Sequence, residues 1–98
     1  MCGPMARKVL PPDEIAKRLP SLRAWSLNGD RLERSWTFPD FAEALAFINR
    51  VGVLAETADH HPDIHNSWNR VTLSLTTHDL GGLTEWDFEL AKKIDAIH

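Results

Sequence analysis

The 98-residue sequence has a single cysteine, Cys2. One thiol excludes an internal disulfide framework and any zinc site built from several cysteines. Long apolar runs are also missing. The longest, around Leu45–Ile48 and Val51–Ala55, fall far short of the ~20 residues that span a bilayer. Arg7 and Lys8 lead into Val9-Leu10-Pro11-Pro12-Asp13-Glu14, which is not the apolar region of a signal peptide. Nor is there a surplus of positive charge. Eleven Lys and Arg face fourteen Asp and Glu, a net charge of −3. Such a chain has no bulk attraction to nucleic acid or to an anionic membrane. No internal repeat, low-complexity tract or Gly/Ser-rich linker divides it. A Gly-rich phosphate loop is absent, and no serine sits in a nucleophile-elbow context. The expectation is a cytoplasmic protein with neither nucleic acid nor membrane as partner.

What is present is an ordinary globular composition, 43% hydrophobic and 26% charged. A chain of this size buries roughly 60–65% of its unfolded surface, enough for one core. One domain is expected over residues 9–98, with residues 1–8 a flexible N-terminal tail. Met5 is a candidate natural start, and Met1–Pro4 a remnant or an alternative start.

Pro11-Pro12-Asp13-Glu14 predicts a helix start, since acids in the first turn suit the helix dipole. Ile15 and Leu19 share a face, and Pro20 stops the helix. Asn28-Gly29 between alternating runs predicts a hairpin. Trp25, Leu27, Leu32, Trp36 and Phe38 then point to one face, with Arg31, Glu33, Ser35 and Thr37 on the other. The clearest helix runs from Asp40 to about Ala58. Its expected inner stripe is Phe41, Ala44, Leu45, Ile48, Val51, Gly52 and Ala55. Ile64–Ser67 and Val71–Leu75 read as a second hairpin turned at Trp68-Asn69-Arg70, with Thr72, Ser74 and Thr76 on the wet face. Gly81-Gly82 marks a turn. Thr84-x-x-Asp87 is a capping box opening a last helix with Leu90, Ala91, Ile94 and Ile97 inward. The order is α-β-β-α-β-β-α. The class is α+β, with a four-stranded, mainly antiparallel sheet whose apolar face the helices must cover.

Four of the five histidines fall between positions 60 and 78. His60 and His61 end the long helix before Pro62, His65 lies on a short strand, and His78 follows the last strand. The element order can bring Glu56, His60, His61, His78 and Asp87 around one cleft at a sheet edge. Imidazole, with an ordinary pKa of ~6.5, both donates and accepts protons near neutrality. Several in one cleft suit a reaction that needs an acid and a base together. Each residue also has a plainer reading. His-His-Pro is commonly a solvated turn, His65 is assigned a structural role, Asp87 caps a helix, and Glu56 lies on a solvated helix face. Trp86 lies near the cleft edge. A zinc or iron site is the rival for the cluster, but helix-borne ligand pairs need histidines at i and i+4, and adjacent imidazoles diverge. No metal is expected.

Glu56-x3-His60-His61-Pro62-x5-Trp68-x9-His78-x8-Asp87 resembles the signature of the pterin-4a-carbinolamine dehydratases, with every position filled. The resemblance spans about Leu22 to Ile97 and includes Trp25, Phe38-x-Asp40-Phe41 and Thr76-Thr77-His78. It implies a four-stranded antiparallel sheet with three helices on one face. It implies a lyase that dehydrates 4a-hydroxytetrahydropterin to quinonoid dihydropterin in tetrahydrobiopterin recycling, with no cofactor. His60, His61 and His78 would be the catalytic group. Asp59-His60-His61 and Thr76-Thr77-His78-Asp79 would contact the pterin, with Glu56 and Asp87 orienting imidazoles. Trp86 departs from the basic residue of animal members at that edge. The family also implies a homodimer or homotetramer, and a small-molecule pterin as partner. Two alternatives accompany it: a pterin-binding or molybdenum-cofactor-pathway accessory protein, and a non-catalytic dimerisation cofactor of a transcription factor.

Overall fold

Pro12 opens α1 (Pro12–Arg18), with Asp13 and Glu14 at its positive end and Lys17 and Arg18 in its last turn. In this computed structural model, which describes residues 8–98, a single 3-10 turn at Leu19–Ser21 follows, where the Pro20 ring ends the helix. The expected tail, with Cys2 and the candidate start at Met5, lies outside the described residues apart from Lys8. Strands β1 (Ser26–Asn28) and β2 (Arg31–Thr37) are joined through Gly29, at φ +64. Glycine enters that left-handed region without steric cost. Helix α2 (Phe41–Ala58) starts where the Asp40 side chain accepts the Glu43 N–H at 2.8 Å. Strands β3 (Asp63–Ser67) and β4 (Arg70–Leu75) form the second hairpin, and α3 (Glu85–Ala96) closes the chain.

The order is α-β-β-α-β-β-α and the class α+β, as expected. The sheet order is β1-β2-β4-β3, with every pair antiparallel. Leu32 and Trp36 on β2 and Val71, Leu73 and Leu75 on β4 join Phe47 and Val51 of α2 and Phe88, Leu90 and Ile94 of α3 in one buried cluster. Ile15 and Leu19 pack against it. Phe47 lies at its centre, 4.7 Å from the Trp36 ring and 5.1 Å from Phe38. The outer face is polar, with Ser35 and Thr72 hydroxyls bonded across strands at 2.8 Å. Among the described residues, no helix is long and apolar enough to cross a membrane.

Three expectations need correction. Ala44, Val51 and Ala55 are buried in α2, but Phe41 and Leu45 are 45% and 41% exposed, and Phe47, off the expected stripe, is fully buried. The helix is apolar over about half its circumference. The half carrying Phe47 meets Trp36 of β2 and Phe38 just after it, which leaves Phe41 and Leu45 outward. Leu27 lies opposite Leu32 on the expected face, yet it is 44% exposed because β1 is an edge strand. Thr76, expected on a wet face, is buried, because the strand ends at Leu75 and the chain turns there into the Thr77–Gly82 bridge.

Candidate active site

Two chain reversals place the histidines. Asp59 ends α2 in the left-handed conformation, φ 52, while its N–H and that of His60 bond back to Ala55 O. Aspartate tolerates this region better than most residues, and Pro62 forbids further helix. Past β4, Thr77 bridges Gly82 across the 3-10 turn His78–Leu80, with Gly81 at φ +72. A Cβ at Gly82 would lie 2.8 Å from a Val9 methyl, so any side chain there would have to push Val9 aside. His78 is thereby presented beside the end of α2.

Asp59, His60, His61, Thr76, His78 and Asp79 line one cleft of about 250 Å³. That is just under the usual range of small-molecule pockets and is enough for a bicyclic ring. His60 is buried, and its Nε2 lies 2.5 Å from Asp87 Oδ1. Asp87 is fully buried. Its Oδ2 accepts the Thr77 hydroxyl and the Thr84 N–H, each at 2.9 Å, within the capping box of α3. A carboxylate only accepts, so the His60 Nε2 carries the hydrogen and Nδ1 is the nitrogen free of Asp87. His61 Nε2 is 2.5 Å from Glu56 Oε2 on the last turn of α2, with both side chains largely exposed. His78 Nε2 lies 3.6 Å from Asp63 Oδ1. Thr76 Oγ1 is buried on the cleft wall with no hydrogen-bond partner in the protein, leaving one polar group for a ligand to satisfy.

Six of the expected site residues therefore line the cleft. Glu56, Asp87 and Thr77 are not on its wall. Glu56 and Asp87 bond two of the imidazoles, and Thr77 bonds Asp87. Trp86 stands edge-on to His60, with ring centroids 5.9 Å apart, and the two share a smaller cavity of about 110 Å³ with Glu89 and Lys93. His65 is exposed and outside the cleft lining. Among the described residues, no group of His, Cys, Asp or Glu side chains is arranged to hold a metal ion.

The sequence reading missed Asp63. Its Oδ2 takes a hydrogen bond from Arg31 Nη1 at 2.7 Å. Arg31 holds the Asp63 carboxyl below the usual carboxylate range, with the nearby His78 charge adding to this and burial opposing it. The only local signal was an acid directly after His-His-Pro.

The pterin 4 alpha carbinolamine dehydratase family model matches residues 8–97. The chain belongs to that family. It is 52% identical to a protein of Thermosynechococcus vestitus, provisionally named a pterin-4-alpha-carbinolamine dehydratase, over 95% of this chain and 97% of that one. A relative from Acidobacterium capsulatum with the same provisional name is 53% identical over 90% of this chain and 96% of its own. Among solved structures, a transcriptional coactivator/pterin dehydratase from Brucella melitensis superposes with a TM-score of 0.86 at 37% identity, covering 92% of this chain and 98% of its own. A pterin dehydratase-like protein described as a RuBisCO assembly factor of the alpha-carboxysome shares the fold, at TM-score 0.60 and 24% identity over 74% of this chain and 84% of its own.

Proposed function

We propose that this dehydratase-family protein converts 4a-hydroxytetrahydropterin to quinonoid dihydropterin by histidine general acid–base catalysis, in tetrahydrobiopterin recycling. The observation that carries this reading is the set of three imidazoles on one pterin-sized cleft, each with a carboxylate in reach. In the reaction the C4a–O bond breaks, and an imidazolium protonates the departing hydroxide to water. The N5–H proton passes to a neutral imidazole, and its electron pair forms the N5=C4a bond. His61 is assigned as the acid, with Glu56 Oε2 2.5 Å from its Nε2 to orient the ring. His60 or His78 is the base. General acid–base help of this kind is typically worth ~10²–10⁴-fold. Asp59, Thr76 and Asp79 on the wall hold the pterin, and Thr77 and Trp86 support His60 through Asp87 and through ring contact.

The full histidine set favours dehydration over a purely non-catalytic role of the coactivator kind named for the Brucella relative. An accessory role toward a molybdenum-cofactor pterin is the alternative, which a genome without an aromatic amino-acid hydroxylase would favour. The protein is read as cytoplasmic, with one domain over residues 9–98. It is also read as a homodimer or homotetramer, a reading that the exposed Phe41, Leu45 and Val53 on α2 support. The test is the loss of chemically generated 4a-hydroxytetrahydropterin, followed by ultraviolet absorbance. The expected result is dehydration well above the rate in buffer, and a rate equal to buffer would reject the reading.

A further inference from the structure

His60 and His61 draw their carboxylates, Asp87 and Glu56, from the signature positions of the sequence. The carboxylate beside His78 comes from elsewhere. Asp63 begins β3, on the polar face, in register with Ser74 of β4. One oxygen, Oδ1, lies 3.6 Å from His78 Nε2, and the other accepts from Arg31 Nη1 at 2.7 Å. The same Nη1 is 3.1 Å from Ser74 Oγ. Arg31 begins β2, which β4 separates from β3. Its side chain therefore crosses β4 just before the chain reaches Thr76 and His78 on the cleft wall, tying three strands together at that point.

We propose that Asp63 positions the His78 imidazole for its part in the reaction, and that Arg31 positions Asp63. The chemistry in this inference rests on the dehydratase reading. His78 sits on a one-turn segment with its side chain 58% exposed, so packing alone does little to fix its ring. A carboxylate can only accept, so a small turn of the ring that closes the 3.6 Å gap to a hydrogen bond selects the Nε2–H form and leaves Nδ1 free to exchange a proton. Arg31 occupies Oδ2 and so leaves Oδ1 for the imidazole. The charged groups facing Asp63 are Arg31 from β2 and His78 from the turn after β4. Asp30 and Glu33 act on Arg31 from its own hairpin, and Ser74 of β4 is neutral. With its carboxyl held below the usual range, Asp63 stays charged as pH falls until that lowered value is passed. Loss of Arg31 raises the value, so the charge is lost at a higher pH.

Asp63→Asn, Asp63→Glu and Arg31→Gln test this through two readouts, kcat and KM for pterin dehydration, and the His78 ring tautomer by nitrogen-15 NMR. Both sites are exposed or half-buried, so the folds should persist, as circular dichroism will show. An exposed pair is worth at most about a five-fold effect. Asp63→Asn should therefore lower kcat about 3–5-fold with KM little changed, and reduce the Nε2–H form of His78. Asp63→Glu should recover most of both. In Arg31→Gln, Asp63 loses the partner on its Oδ2, so kcat and the Nε2–H form of His78 should both fall, by no more than in Asp63→Asn, and a variant indistinguishable from the wild type would overturn the part given to Arg31. An unchanged tautomer or an unchanged kcat in Asp63→Asn would overturn the proposal, as would an Asp63→Glu variant no better than Asp63→Asn. A wild-type protein that does not dehydrate pterin would reject the dehydratase reading itself, whereas the tautomer measurement would still decide whether Asp63 governs the His78 ring.

Discussion

Asp87 has two tasks that two substitutions should separate. Its Oδ2 caps α3 by accepting from Thr84 N–H and Thr77 Oγ1, and its Oδ1 holds His60. Asp87→Ala removes both. Thr84 remains the N-cap through its bond from Trp86 N–H, so the loss is a buried Thr84 N–H left without a partner, which costs about 1–3 kcal/mol. Thr77 keeps its bond to the Thr84 hydroxyl at 2.9 Å, so it adds little. The total is about 2 kcal/mol, which for a domain of this size lowers Tm by about 8–16 °C. Asp87→Asn behaves differently. Its carbonyl oxygen can take the Oδ2 place and keep the cap, which puts the amide NH2 against His60 Nε2. An amide NH2 only donates, so the ring must carry its hydrogen on Nδ1. The neutral ring then has no basic nitrogen free of residue 87. Asp87→Asn should lower kcat/KM by about 10–100-fold, within the general acid–base range, while losing less Tm than Asp87→Ala. Thermal unfolding by circular dichroism and the ultraviolet dehydration assay measure the two effects. Equal Tm losses in both variants, or an Asp87→Asn variant of wild-type activity, would refute the separation.

Phe47→Ala, at the meeting point of Trp36 and Phe38, should cost about 3–5 kcal/mol in urea unfolding, whereas a loss under 1 kcal/mol would mean the ring is not central to the core. Leu45→Arg, on the exposed side of α2, should reduce the particle mass in light scattering without changing thermal stability of the protomer fold. A wild-type protein already monomeric at micromolar concentration would remove the basis for that expectation.

Local chemistry made much of this protein readable from its sequence. Asn28-Gly29, Pro62 and Thr84-x-x-Asp87 each act on their immediate neighbours, and the turn, the helix end and the capping box they announced are in place. The histidine cluster was readable for the same reason, because His60 and His61 follow directly from the end of α2. Orientation was harder. An apolar arc covering half of α2 does not reveal which half meets the sheet, and Trp36 and Phe38 decided in favour of Phe47. Partners far apart in sequence left no pattern at all. Trp25 Nε1 and Arg34 both donate to Asp95, at 2.8 and 2.6 Å, and Arg34 lies 4.5 Å over the Trp36 ring. Arg31 meets Asp63 across β4 in the same way. Such contacts depend on strand order, and the alternation of polar residues carries no information about which strand lies next.

The central claim is that His60, His61 and His78 share one proton-transfer task. It is tested most directly by kcat/KM for 4a-hydroxytetrahydropterin in the wild type, the three single alanine variants, the His60→Ala/His61→Ala double variant and the triple variant, with His65→Ala as control. Each single variant should lose about 10-fold or more while keeping its fold, since neighbouring imidazoles partly substitute. The double variant should fall further than either single, without the losses simply multiplying, and His65→Ala should stay near wild type. A triple variant that dehydrates the pterin at the wild-type rate would contradict the account.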